Sequence, residues 1–291
     1  MLGVLLVEKP QGLTSHDAVN VVRKRFGIKR VGHSGSLDPL ATGLLVMAVG
    51  PATRFLQYLP LEPKGYVATF EFGRSTTTQD CLGETVEERP SPENLSQWLA
   101  EALPRYLGKI DQIPPMYSAI KREGRPLYAY ARKGEVIERE SRSVYIEKIE
   151  ILSASQASAT LNIICSGGTY IRTLGHDMGE DLGCGAHMTA LHRTQVGRFS
   201  VDQASPLDEA KPEDLIPLES ALPPTPTLQL SPLDIERVSH GNVIQAEAPL
   251  TSTIVALLDE NGRVFSMARA LEGNRLQPEC VIPREQSHGE L

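Results

Sequence analysis

Residues 32–43 read GHSGSLDPLATG, and the rest of the chain is organised around this stretch. Gly32, Gly35 and Gly43 let the backbone turn sharply and approach a ligand closely, while Asp38, standing before Pro39, is steered away from the helical region. One carboxylate is thus set on a bend among small polar residues. An isolated Asp-Pro would be read as the cap of a short helix; the density of special residues here argues for a site. The hydrolase elbow G-x-S-x-G is excluded because Gly32-His33-Ser34-Gly35 is followed by Ser36.

The flanks read as regular structure. Upstream, residues 3–8 form an apolar run closed by Lys9-Pro10-Gln11-Gly12, which predicts a strand. A helix follows, capped by Thr14 or Ser15, striped by Ala18, Val19, Val22 and Phe26, and closed at Gly27. Downstream, residues 43–50 (GLLVMAVG) predict a strand buried on both faces, 52–58 a short helix, and 66–72 an alternating strand. Further on, residues 92–107 predict an amphipathic helix with Trp98 in the core, and 126–133 a short basic helix bearing Tyr128 and Tyr130. Strands are expected at 144–152 and 159–165, then a helix over 169–182 ending at Gly183. Prolines crowd residues 217–226, the best linker candidate, and the tail beyond holds a hairpin signal at Asn261-Gly262. The expected division is a catalytic domain over 1–220 and a small β-rich domain over 227–291.

A chain of 291 residues, 41% hydrophobic, can bury a sizeable core. No apolar run approaches the ~20 residues that span a bilayer, so a cytoplasmic protein is expected. Cys81, Cys165, Cys184 and Cys280 lie scattered, and the histidines lack metal-ligand spacing, so neither a disulfide framework nor a metal site is expected. Phosphate-cradling glycine motifs are missing, which leaves a reaction with no cofactor. The net charge of -7, from 29 Lys and Arg against 36 Asp and Glu, disfavours nucleic acid as a partner. Two local basic runs oppose that: Arg23, Lys24, Arg25, Lys29 and Arg30, and then Lys121, Arg122, Arg125, Arg132 and Lys133.

Gly168-Thr169-Tyr170-Ile171-Arg172 places a ring and a guanidinium near a helix start. Arg172 could pair with Asp38 and hold it ionised as a nucleophile, or pair with Asp177 or Glu180 on its own helix. From the residues alone the two readings stand level.

Several separated motifs resemble, in order, the TruB family of tRNA pseudouridine synthases: VEKPQGLTSHDAV, GHSGSLDPLATGLL, KGYVATFEFGRSTTTQD, IPPMYSAIKREGRPLYAYAR, GGTYIRTLGHDMGEDLGCGAH and LHRTQVGRF. The tail resembles, more loosely, the PUA-type RNA-binding module. The resemblance implies an α/β (α+β) pseudouridine synthase fold, with a mixed, largely antiparallel sheet flanked by helices and a small β-rich PUA-like domain. It implies isomerisation of the uridine at position 55 of the tRNA T-loop, without cofactor, by a monomer acting alone on the T-arm. Asp38 falls on the family's catalytic aspartate, attacking the sugar C1′ or the ring C6; Tyr66 falls on the tyrosine that stacks on the base, and Arg172 on the arginine that pairs with the aspartate. Tyr170 and Leu191 fall on uracil-pocket positions, His33 on a residue that enters the RNA loop, and Asp80 on an RNA-contacting position. Lys9 and Pro10 match a supporting motif, and the two basic runs are expected on one RNA-facing surface. A tRNA-folding factor without catalysis, or a synthase for another RNA, are the alternative readings.

Overall fold

A computed structural model describes residues 1–250 and 252–283; the last residues of the expected C-terminal domain, 284–291, lie outside the described residues. The apolar runs flanking the GHSGSLDPLATG loop become neighbouring strands. Strand β1 (Gly3–Lys9) pairs antiparallel with β3 (Thr42–Val49), and the short β2 (Val31–His33) pairs antiparallel with the other edge of β3. Their side chains alternate between two cores. Val4, Leu6, Leu44, Val46 and Ala48 enter one cluster, whereas Leu5, Val7, Leu45, Met47 and Val49 face the stripe of helix α1 (Ser15–Phe26) in another. A strand buried on both faces has no place for polar residues, hence the unbroken apolar spelling. Helix α1 carries the predicted caps: Thr14 and Asp17 form a capping box, and Gly27 closes the helix in the left-handed conformation.

The second half of the sheet is antiparallel. Strand β4 (Lys64–Phe72) is followed by a small hairpin, β5 (Arg74–Thr76) and β6 (Thr85–Glu88), then α2 (Leu95–Ala102) and β7 (Gly108–Gln112). A two-residue hairpin, β8 (Lys121–Arg122) with β9 (Arg125–Pro126), leads into α3 (Leu127–Ala131). Then come β10 (Arg142–Ala154), β11 (Ser158–Cys165), α4 (Ile171–Asp181) and β12 (Ala186–Val196). With β13 (Phe199–Ser200) on β12 and β14 (Ser205–Pro206) at the edge, the order is β14-β1-β3-β12-β4-β11-β10-β7. The sheet is mixed and largely antiparallel.

Among the described residues the two halves pair as strands only where β12 runs parallel to β3, at His192 beside Thr42 and Arg193 beside Gly43. Glycine is required there: Gly43 has φ +99°, and a Cβ on it would lie 2.4 Å from the Arg193 carbonyl oxygen. The functional loop therefore leaves the sheet at its central joint.

Three expectations need correction. The helix expected over 92–107 stops at Ala102 and tightens into a 3-10 turn, Leu103–Tyr106, where Pro104 supplies no amide donor; Trp98 is only half-buried, at the edge of the core that Leu95 and Leu99 enter. The helix expected at 52–58 is a 3-10 helix over Gly50–Tyr58. The proline-rich 217–226 stretch is no free tether. It contains a turn of helix α5 (Leu218–Ala221), and Leu218, Ala221 and Leu222 are buried in one cluster with β1, β3 and the C-terminal residues Ala256, Val264 and Met267. Beyond it lies a five-stranded sheet, β15-β17-β18-β19-β16, built from β15 (Thr227–Gln229), β16 (Ile244–Gln245), β17 (Ile254–Leu258), β18 (Val264–Leu271) and β19 (Arg275–Val281), with helix α6 (Pro232–Ser239) against it.

Candidate active site

A cleft of about 930 Å³ opens at the joint between the sheet halves, lined by His33, Leu37, Asp38, Lys64, Tyr66, Asp80, Tyr170, Arg172 and Leu191 among others. That volume is at the upper end of small-molecule pockets and admits a nucleotide. All seven residues singled out from the sequence line it.

The aspartate loop is held from several sides. Ser15, in the first turn of α1, accepts the Leu37 amide through Oγ at 2.8 Å, and Gly12 donates its amide to the Pro39 carbonyl at 2.7 Å. The Ala41 amide donates to the Asp38 carbonyl at 3.0 Å, so Asp38 begins a tight turn and caps no helix. Beneath the loop Lys9 is fully buried, donating to the Pro10 and Leu13 carbonyls at 2.9 and 2.7 Å, and burial lowers its pKa to about 8. The Lys-Pro motif thus braces the site through this ammonium.

Arg172, at the start of α4, decides between the two readings of its partner. Its Nε lies 2.9 Å from Asp38 Oδ2, and Asp177 and Glu180 are not partners. The guanidinium is buried and fully engaged: Nη1 donates to the Thr78 carbonyl and Nη2 to the Tyr117 carbonyl, each at 2.8 Å, and Nη1 lies 3.6 Å from Asp80 Oδ2. Asp80 in turn accepts from Thr78 Oγ1 at 2.6 Å and from the Leu82 amide at 3.1 Å. Its carboxylate thus lies against the arginine at the cleft wall.

Asp38 retains 39% of its side-chain surface toward the cleft, yet protein surrounds it on the remaining sides. Burial raises its pKa, Arg172 opposes that, and Asp80 adds a smaller upward push. The ion pair is therefore what keeps a carboxylate charged at the floor of a walled cleft.

Tyr66 on β4 is buried, with its hydroxyl pKa raised by burial. Leu191 on β12 stands beside Ala68 in register and packs in the same cluster as Tyr66, Leu37 and Leu40. Tyr170 is fixed by Gln112, whose side-chain amide both accepts the Tyr170 amide at 3.0 Å and donates to its carbonyl at 3.3 Å. His33 is half-buried, its Nδ1 has no hydrogen-bond partner, and burial lowers its pKa, so it is a neutral ring at physiological pH.

Of the two basic runs only the second reaches the cleft, through Arg132, which stacks on the Tyr128 ring at 5.4 Å from its centroid. The first sits at the far end of α1, about 18 Å along the helix from its cleft-lining first turn. There Arg23, Arg25 and Arg30 donate to Val31 O, Ala210 O and Thr53 Oγ1. The first run thus lies away from the cleft itself.

The family model described as TruB family pseudouridylate synthase (N terminal domain) matches residues 23–171, and that of the tRNA pseudouridylate synthase B C-terminal domain matches residues 172–222. The chain belongs to the TruB family. It is 43% identical over 292 residues to a tRNA pseudouridine synthase B from Pseudomonas aeruginosa (strain UCBPP-PA14), covering 96% of this chain and 95% of that relative. A tRNA pseudouridine synthase B from Chromobacterium violaceum is 46% identical over 252 residues, covering 84% of this chain and 82% of the relative. Among solved structures, the fold is similar to a chain of a Cbf5-Nop10-Gar1 complex, with TM-score 0.69 and 26% identity over 97% of this chain and 85% of the other. The catalytic aspartate, tyrosine and arginine expected of a TruB protein thus converge on one cleft here, although they come from three separate segments.

Sequence reasoning missed four residues that hold this TruB site together: Ser15, Gln112, Thr78 and Arg193. Ser15, Gln112 and Arg193 bond backbone groups far away in sequence, and Thr78 lends its own carbonyl to the distant Arg172; a pattern of residue types carries no record of such contacts.

Proposed function

We propose that the cleft receives the uridine at position 55 of the tRNA T-loop and isomerises it to pseudouridine, with Asp38 as nucleophile. The observation that carries this reading is the Asp38–Arg172 pair, at 2.9 Å on the cleft floor, in a chain that matches tRNA pseudouridine synthases over nearly its whole length. The reaction breaks the bond from ribose C1′ to uracil N1 and makes one from C1′ to C5; the C5 proton leaves and N1 regains one. No redox partner or group donor enters that balance. The ionised Asp38 adds to the nucleotide, Arg172 holds it charged and oriented, and Tyr66 with Leu191 bounds the detached base so that it can turn without escaping.

Access requires the uridine to leave the folded T-arm, at a cost of a few kcal/mol. His33, neutral and with an unused Nδ1 at the cleft wall, is suited to fill the vacated stack. Tyr128 and Arg132 offer an aromatic face and a cation to the RNA backbone. The C-terminal five-stranded sheet serves as a PUA-like second contact to RNA, with the division into domains near residues 220–227. Among the described residues no helix is long and apolar enough to cross a membrane, and the protein acts on free tRNA in the cytoplasm, as a monomer, without a protein partner. Incubating the purified protein with an unmodified tRNA transcript and mapping pseudouridine tests the assignment; product only at another position would overturn it.

A further inference from the structure

Arg193 is the largest fully buried side chain of the protein, yet among the described residues it forms no ion pair with a carboxylate. The charged groups around it are cations: Lys9 and Lys64 each feel its charge as a like charge. A buried charge without a counter-ion, among other positive groups, is a costly arrangement that an apolar side chain would avoid. What it touches gives it a use. Nε donates to the Leu44 carbonyl at 2.7 Å and Nη2 to the Gly35 carbonyl at 3.4 Å, so it grips the aspartate loop on both sides of Asp38. Across the β4–β12 pair it stands in register with Tyr66, whose ring lines the cleft.

We propose that Arg193 is a positioning residue for the isomerisation: it clasps the aspartate loop on both sides of Asp38 and sets its positive charge beside Tyr66, its register partner on the neighbouring strand. The inference rests on the reading of this cleft as the synthase site. Burial, Cys165 and Asp38 all oppose ionisation of Tyr66, and Arg193 is the group that favours it. Removing Arg193 therefore moves the ionisation of Tyr66 to higher pH.

The test compares wild type, Arg193→Met and Arg193→Lys by single-turnover release of tritium from the uridine C5, tRNA binding, thermal melting and the pH profile of the rate. Expected for Arg193→Met are unchanged tRNA affinity, a rate constant lower by about 100-fold, and an alkaline limb displaced upward. Arg193→Lys should recover part of the rate. Equal rates in all three proteins would overturn the inference, as would a loss of rate that only follows a loss of melting temperature and tRNA affinity, with the pH profile unmoved. Should Arg193→Met not fold, the alkaline limb of Arg193→Lys decides in the same way. A wild-type protein that releases no tritium would instead refute the reading of the cleft.

Discussion

Replacing Arg172 by lysine separates what its charge does from what its shape does. The guanidinium makes four contacts: Asp38 at 2.9 Å, Asp80 at 3.6 Å, and the Thr78 and Tyr117 carbonyls at 2.8 Å each. A lysine ammonium gathers its three donors at one point and cannot span that set. At least one buried carbonyl loses its partner, a loss of about 1–3 kcal/mol in stability. The larger effect falls on Asp38. Burial raises its pKa and Arg172 is the main opposing influence, so a less well placed cation lets the pKa rise further. As it rises, the acid limb of kcat/KM moves up by the same amount, and the rate below that limb falls in proportion to the lost carboxylate. Because the nucleophile must be ionised, raising the pH should restore part of the activity. Tritium release from labelled tRNA across pH 5 to 9 reads this directly. A variant slowed equally at every pH, with its acid limb where wild type has it, would refute the claim that Arg172 sets the charge of Asp38.

Other consequences reach beyond that pair. Asp177 has its pKa raised to about 6 by burial, with Asp181 and Glu180 adding to it. A group whose folded pKa is raised favours the folded state below its unfolded value and costs stability as pH rises through 6, so Asp177→Asn should stabilise the protein at pH 8, by about 1–2 kcal/mol after screening, and have no effect at pH 3 in chemical denaturation. Gly43→Ala drives a Cβ to 2.4 Å from the Arg193 carbonyl at φ +99°, and should cost at least about 3 kcal/mol or prevent soluble expression; normal melting would refute the close β3–β12 approach. Ser15→Ala leaves the buried Leu37 amide without its acceptor, and should lower the melting temperature modestly, by the equivalent of about 1–3 kcal/mol, while lowering kcat more than it raises KM; a pure KM effect would refute the role of Ser15 in fixing the loop.

Much of this architecture was legible in the spelling of the chain. The runs at 3–8 and 43–50 are apolar without alternation because both faces of those strands are covered, and Thr14, Asp17 and Gly27 mark the ends of α1 by local chemistry alone. The candidate residues Asp38, Tyr66 and Arg172 were visible through motif resemblance, and geometry then chose Asp38 over Asp177 and Glu180 as the partner of Arg172. What stayed hidden depends on long-range pairing. The Arg193–Tyr66 register, the Gln112 clamp on Tyr170 and the approach of Asp80 to Arg172 each join segments far apart in sequence. The contacts of Arg23, Arg25 and Arg30 with Val31, Ala210 and Thr53 are likewise something composition cannot show.

The central claim is that Asp38 performs the isomerisation on a tRNA uridine. Wild type and Asp38→Asn, which keeps the size of the side chain and removes its charge, should be incubated with the same unmodified tRNA transcript, and pseudouridine mapped along it. The account predicts full conversion at position 55 by wild type and none by Asp38→Asn, with tRNA binding retained by both. Conversion by Asp38→Asn at the wild-type rate would contradict it.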